Sequence, residues 1–104
     1  MIKLVCLINR PSNKTAEEFK HWWLSHHASV AAKLPNLRHY SISTTIPEAD
    51  NHMLFDGIAE LYFDSHEDMK SAFASEQGQA CSKEDVEMIG NRIAFVTEEH
   101  LIVS

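Results

Sequence analysis

The fold and the candidate site both depend on one stretch of the sequence, residues 19–40, which reads FKHWWLSHHASVAAKLPNLRHY. Read with the 3.6-residue period of an α-helix, its first part places apolar and aromatic side chains and two histidines on one face. The members of this stripe are Phe19, Trp22, Trp23, His26, His27, Val30, Ala31 and Leu34. The pattern predicts a buried helix face that contains two imidazoles.

Both ends of this helix are marked in the sequence. Thr15 precedes the stripe and Glu18 follows three residues later, which is the spacing of a capping box. Pro35 ends the pattern, because the residue before a proline avoids the helical conformation. We therefore predict a helix over residues 16–34.

Composition is that of an ordinary globular protein. The chain has 104 residues, 44% of them hydrophobic and 23% charged, which predicts one domain spanning residues 1–104. Nine Lys and Arg stand against fifteen Asp and Glu, so the sequence offers no basic surface to nucleic acid.

No apolar run reaches the ~18–20 residues that span a bilayer, and we read the apolar N-terminus as a strand rather than a signal peptide. Two cysteines, Cys6 and Cys81, make no disulfide framework, and we expect a cytoplasmic protein.

Four segments have the length and the β-branched content of strands. They cover residues 2–10, 37–46, 55–63 and 93–103, with a polar loop at 47–52 between the second and the third. The first segment differs from the others because apolar residues lie on both of its faces.

Two short helices are predicted between the third and the fourth strand. Ser65 has the character of an N-cap for the first. Gly78 then breaks the pattern, and Ser82 is a second cap signal that opens a short helix ending near Ile89.

The predicted order is strand, helix, strand, strand, helix, strand. It defines an α+β protein of the ferredoxin-like βαββαβ type, with a four-stranded antiparallel sheet and its helices on one face. A first strand that is apolar on both faces needs cover on both sides, and the helices supply only one. A second copy of the chain is the simplest cover, so we expect a homodimer.

Seven residues of the opening stretch stand at the spacing F-x3-W-x3-H-A-x6-P-x-L-x2-Y, namely Phe19, Trp23, His27, Ala28, Pro35, Leu37 and Tyr40. Together with residues 56–65 and 75–80, this pattern resembles the EthD domain family over nearly the whole chain. The resemblance implies a dimeric α/β-barrel, in which two ferredoxin-like sheets pack face to face. It also implies kinship with cofactor-free monooxygenases and with isomerases. In the methylmuconolactone methylisomerases, which are similar to the first half of the chain, a pocket histidine and tyrosine match His27 and Tyr40.

The residue types indicate proton chemistry. Imidazole titrates near neutral pH, so His27 is the candidate proton acceptor and donor. Tyr40 follows the helix and is expected to hydrogen-bond a substrate oxygen in the same cleft. Trp23, four residues before His27, is expected to stack on the imidazole and keep it neutral. The candidate substrate-binding residues are Trp22, Trp23, His26, Phe63 and Phe73.

Two function classes remain open. One is a cofactor-independent enzyme, of oxidoreductase or isomerase type, that acts on a small hydrophobic molecule. The other is a non-catalytic protein that binds or delivers a hydrophobic pathway intermediate, for which a histidine fixed to a backbone carbonyl is sufficient. A structural role as core residues is the competing interpretation of the histidines and of Tyr40. The sequence has no zinc-binding histidine spacing and no glycine-rich phosphate loop, so we expect neither a metal nor an organic cofactor.

Overall fold

The computed structural model describes residues 1–46 and 55–104. Within them the strands are β1 (Ile2–Asn9), β2 (His39–Thr44), β3 (Gly57–Phe63) and β4 (Asn91–Glu98). The first helix consists of three consecutive segments, α1 (Ala16–Trp22), a π-helical turn (Trp23–His27) and α2 (Ala28–Ala31). Two more helices, α3 (His66–Ala74) and α4 (Glu76–Met88), lie between β3 and β4.

The four strands form one antiparallel sheet in the order β2-β3-β1-β4. Cys6 in the middle of β1 pairs with Ala59 of β3 and with Ala94 of β4. Ala59 in turn pairs with Ile42 of β2, which fixes the register across the sheet. This order and these directions confirm the predicted ferredoxin-like α+β fold.

The two faces of the sheet have different surroundings. On one face, alternate residues of β1 and β3 form a buried core with the helices, and this core contains Leu4, Cys6, Ile8, Ala59, Leu61, Phe63, Phe19, Trp23 and Met69. No helix of the described residues packs on the other face. Its apolar residues, called the open face below, are Val5, Leu7, Ile58, Ile93 and Phe95.

The start of the first helix was read correctly from the sequence. The hydroxyl of Thr15 accepts from the Glu18 backbone N–H at 3.1 Å, and the Glu18 carboxylate accepts from the Thr15 N–H at 2.9 Å. This reciprocal pair of bonds is the predicted capping box. The helix ends at Ala31, a few residues before the predicted boundary, and the chain then turns through Asn36, whose φ is 64°.

The π-helical turn explains why part of the predicted stripe is not buried. The fully buried residues of this helix recur every four positions, at Phe19, Trp23, His27 and Ala31. In a regular α-helix a four-residue step drifts by about 40°. The wider π turn absorbs part of that drift, so these four side chains keep facing the sheet. As a consequence His26 lies outside the buried stripe and is exposed.

The predicted break at Gly78 and the second cap at Ser82 are wrong, because α4 is continuous through both residues. Ser75 is the N-cap instead, and its hydroxyl accepts from the Gly78 N–H at 3.1 Å. Gly78 is buried where α4 leaves α3, and a Cβ there would lie 2.3 Å from the carbonyl oxygen of Ala72. The glycine therefore permits a tight helix–helix junction rather than ending a helix.

Three further outcomes concern boundaries. Ser65 caps α3 as predicted, accepting from the Asp68 N–H at 3.1 Å. The last strand is β4, which begins and ends earlier than predicted. The predicted loop at 47–52 lies outside the described residues.

Every helix in 1–46 and 55–104 is too short or too polar to cross a membrane.

Candidate functional site

The site is built around His27, which the π turn directs into the space between the first helix, α4 and the sheet. The residue is only 4% exposed. Nδ1 lies 2.8 Å from a Glu84 carboxylate oxygen, and Nε2 lies 3.1 Å from an Asp85 carboxylate oxygen. The ring of Trp22 stacks on the imidazole, with 5.0 Å between ring centroids. The predicted stacking partner was Trp23, so this detail is corrected.

The two carboxylates set the charge of His27. Burial, the largest single effect, acts to lower its pKa, but hydrogen bonds with Asp85, Cys81 and Glu84 together raise that pKa to about 10. His27 is therefore an imidazolium at neutral pH, with one N–H directed to each carboxylate. The predicted neutral imidazole is wrong, because the apolar neighbours on its own helix are outweighed by acidic neighbours from α4.

Three side chains of α4 form the opposite wall of the site. Cys81 and Asp85 are one helical turn apart, at positions i and i+4, and both face inward. The Cys81 Sγ lies 4.0 Å from Nε2 of His27. Glu84 reaches back to both neighbouring histidines, since its second oxygen lies 2.8 Å from Nε2 of His26.

Arg92 on β4 completes the charged part of the site. Its guanidinium donates to the second carboxylate oxygen of Asp85 at 3.1 Å. Asp85 therefore lies between two cations, the His27 ring and Arg92. Glu84 is held by His26 and His27, and although burial acts to raise its pKa, these bonds lower the pKa of its carboxyl below the ordinary value.

A small cavity of about 30 Å³ adjoins these groups. That is room for one or two water molecules. Its apolar wall comes from β1, β3, Trp23 and Phe73, and its polar lining consists of His27, Tyr40, Cys81, Asp85 and Arg92. His27 and Tyr40 thus line one cavity between the first helix and the sheet of the same chain.

Tyr40 is half-buried at the start of β2. Burial raises the pKa of its phenol above the ordinary value, and nearby negative charge adds to the effect. The hydroxyl therefore keeps its proton and is available as a hydrogen-bond donor to the cavity. Trp23 also lines the cavity, and its buried Nε1 has no hydrogen-bond partner among residues 1–46 and 55–104.

The other predicted contacts divide into two groups. Trp23 and Phe73 line the cavity. The other three residues do not line it: Trp22 covers the outer side of His27, His26 is exposed and holds Glu84, and Phe63 is fully buried in the core against Phe73.

The sequence interpretation missed Cys81, Glu84, Asp85 and Arg92. The signal was present in α4, where Gly78, Cys81 and Asp85 have the spacing of one helix face. Treating Gly78 as a helix break hid that spacing. Arg92 gives no comparable signal, because its role depends on the β1–β4 pairing.

Comparison with known proteins agrees with this architecture. The model of the EthD domain matches residues 12–89. The chain therefore belongs to the EthD domain family, which confirms the resemblance seen in the sequence. No curated protein matches the chain significantly.

Solved structures share the fold along nearly their whole length. An ethyl tert-butyl ether degradation (EthD) family protein from Bacillus halodurans superposes with a TM-score of 0.85 at 25% identity, covering 96% of this chain and 99% of the other. A dimeric ferredoxin-like protein of unknown function from Bacteroides fragilis gives 0.70 at 17% identity, covering 94% and 95%. SnoaB, a cofactor-independent oxygenase from Streptomyces nogalater, gives 0.69 at 10% identity, covering 94% and 91%. The last two show a shared fold alone.

Proposed function

We propose that this protein is a cofactor-independent enzyme that transfers a proton on a small hydrophobic carbonyl compound. The observation that carries the proposal is the buried His27 imidazolium, held between Glu84 and Asp85 beside an apolar cavity. A core histidine used only for packing has no need of two carboxylates. Perturbed titratable groups that line a cavity are the usual mark of a catalytic site.

Each polar group has a role in this reaction. Tyr40 donates a hydrogen bond to the carbonyl oxygen and stabilises the negative charge that develops there. Asp85 accepts a proton from the carbon next to the carbonyl, and His27 donates its Nε2 proton to the enolate. Transfer of the proton from Asp85 to Nε2 of His27, across 3.1 Å, then restores both groups. Return of the proton at another carbon is an isomerisation. Addition of dioxygen to the carbon of the same enolate, with the enolate as the reductant and a protonated hydroperoxide as the product, is an oxygenation, the activity class stated for SnoaB.

The small cavity limits the substrate. Space for one or two waters does not hold an organic molecule until a wall moves. Phe73 is only half-buried on this wall, which makes it the side chain whose displacement admits the ligand. The apolar wall also excludes water from the enolate, which strengthens the interactions with Tyr40 and His27.

We also propose that the working form is a homodimer joined through the open face. Phe95 is 46% exposed and Ile93 is 51% exposed, because no helix of the described residues covers this face of the sheet. Related folds include proteins described as dimeric. At one end of this face Lys3 bridges Glu60 and Glu99 at 2.8 and 3.1 Å, which gives the apolar area a polar edge.

Both cysteines are free, which suits a reducing compartment such as the cytoplasm.

The reaction is tested by hydrogen–deuterium exchange. Small lactones and ketones are incubated with the protein in D2O, and loss of the signal from the C–H next to the carbonyl is followed by NMR. We expect exchange by the wild type, loss of exchange in His27→Gln, and a decrease of about 10²-fold in Tyr40→Phe. The matched control is His21→Gln, which changes an exposed histidine of α1 outside the cluster and should retain the activity.

The alternative of a non-catalytic binding protein gives a different result. Ligands would then shift the NMR signals of Tyr40 and Phe73 without any exchange. That outcome would contradict an enzymatic function and would support the binding function.

A further inference from the structure

The geometry points to a second use of this site, the binding of one thiophilic divalent cation such as Zn²⁺ by His27, Cys81 and Asp85. One ligand atom from each residue lies within 4.8 Å of the other two. His27 and Cys81 are buried, and the Asp85 side chain is only 13% exposed. This inference goes beyond the proposed proton transfer, which uses no metal.

Two of the three distances between ligand atoms approximate the edges of a tetrahedral site, and the third, between Cys81 and Asp85, is no more than 4.8 Å. With metal–ligand bonds of about 2.0–2.3 Å, tetrahedral zinc places neighbouring ligand atoms roughly 3.3–3.7 Å apart. In the structure Nε2 of His27 lies 3.1 Å from the Asp85 oxygen and 4.0 Å from the Cys81 sulfur. Each of these two distances therefore has to change by only about 0.5 Å or less for the ion to bind.

The three candidate ligands come from two facing helices. Cys81 and Asp85 are one turn apart on the same face of α4, so their side chains project together. His27 comes from the facing helix and closes the site from the other side. Imidazole nitrogen, thiolate sulfur and carboxylate oxygen are the three ligand types that zinc uses in proteins.

Glu84 fits the same interpretation. Its carboxylate lies 2.8 Å from Nδ1 of His27, on the ring nitrogen opposite the one that would bind the metal. A carboxylate in this position orients a metal-binding histidine and increases its basicity. The adjoining cavity of about 30 Å³ has room for the water molecule that would be the fourth ligand.

The charge of the buried cluster is conserved on binding. The cation replaces one proton on Nε2 of His27 and one on the Cys81 thiol, so two positive charges enter as two leave. Because the ion occupies the His27 and Asp85 atoms that transfer the proton, the metal-bound form is unable to carry out the proposed reaction. Zn²⁺ and substrate turnover are therefore mutually exclusive at this site.

Metal binding is measured on the full chain, without substrate, so the result does not depend on the proposed activity. Metal-free protein is titrated with Zn²⁺ by calorimetry, and with Co²⁺ while its absorption spectrum is recorded. We expect one ion per chain and a thiolate-to-cobalt charge-transfer band. Cys81→Ser should remove the band, and Glu84→Gln should weaken Zn²⁺ binding by about 10–100-fold.

Cys6→Ser is the matched control, because Cys6 lines the same cavity but is outside the cluster. It should leave the stoichiometry and the band unchanged. Asp85→Asn provides a second ligand variant if Cys81→Ser does not fold, as judged by circular dichroism. Absence of stoichiometric binding, or binding that survives both ligand variants on exposed histidines, would overturn the proposal.

Discussion

At the scale of the residue, the charge of His27 depends on neighbours that its own helix does not reveal. The residues around it in sequence are aromatic or small, and they favour a neutral ring. Glu84 and Asp85 are 57 and 58 positions away and reach the ring only after folding. His27 could be selected from the sequence because it stands in an apolar stripe, but its protonation state could not.

This arrangement predicts a pH dependence of stability. The pKa of His27 is about 10 in the folded chain and about 6.5 as the ordinary value. A raised pKa contributes stability that is fully present below about pH 6.5 and is lost as the pH rises through about 10. We therefore expect the melting temperature to fall between pH 7 and pH 10, measured by calorimetry.

Two variants distinguish the contribution of His27 to this pH dependence from that of other titrating groups. Asp85→Asn removes one carboxylate partner, so it should lower the pKa of His27 and flatten the decline. His66→Gln changes an exposed histidine of α3 outside the cluster and should leave the slope as it is. A wild-type melting temperature that is constant over this range would show that His27 is not charged in the folded protein.

At the scale of the element, the first helix and α4 differ in how well they could be predicted. Thr15, Glu18 and Pro35 give explicit start and stop signals, and the helix they enclose was found. Its π turn left no recognisable signal, because the choice between bonding patterns depends on packing against the sheet. In α4 the sequence signals at Gly78 and Ser82 predicted a break and a new helix start, whereas the folded chain forms one continuous helix through both residues.

Gly78→Ala tests the interpretation of α4. Helix propensity alone predicts a gain of about 1 kcal/mol in the free energy of unfolding. The structure predicts a loss of about 1–3 kcal/mol, because the new methyl group meets backbone atoms of Ala72 and Phe73 at 2.3–2.5 Å and one helix must shift. Urea denaturation measures the difference. Gln77→Ala, an exposed neighbour in the same helix, should change stability by less than about 0.5 kcal/mol.

At the scale of the whole molecule, the open face links the fold to assembly. The sequence indicated it through β1, whose apolar residues lie on both sides. The pairing adds Ile58, Ile93 and Phe95 to Val5 and Leu7, so the apolar residues form one continuous area. The sequence of one chain does not show which protein covers this face, so the dimer is a proposal.

Phe95→Asp tests the dimer. A carboxylate within the proposed interface is costly to bury, so the variant should become monomeric while the wild type shows about twice the mass of one chain by light scattering. Val86→Asp is the matched control, because Val86 is 84% exposed on α4, away from the sheet. A wild-type monomer, or a Phe95→Asp dimer as stable as the wild type, would contradict an interface on this face.

The central claim is that His27 is held as an imidazolium by Glu84 and Asp85 beside the cavity. An NMR titration of the histidine ring nitrogens, on metal-free protein from pH 5 to pH 11, tests it most directly. We predict that His27 stays protonated on both nitrogens through neutral pH and loses a proton with a pKa near the value of about 10, whereas Glu84→Gln lowers that pKa. Titration of His27 at or below about 6.5, with a single ring proton at neutral pH, would contradict the account.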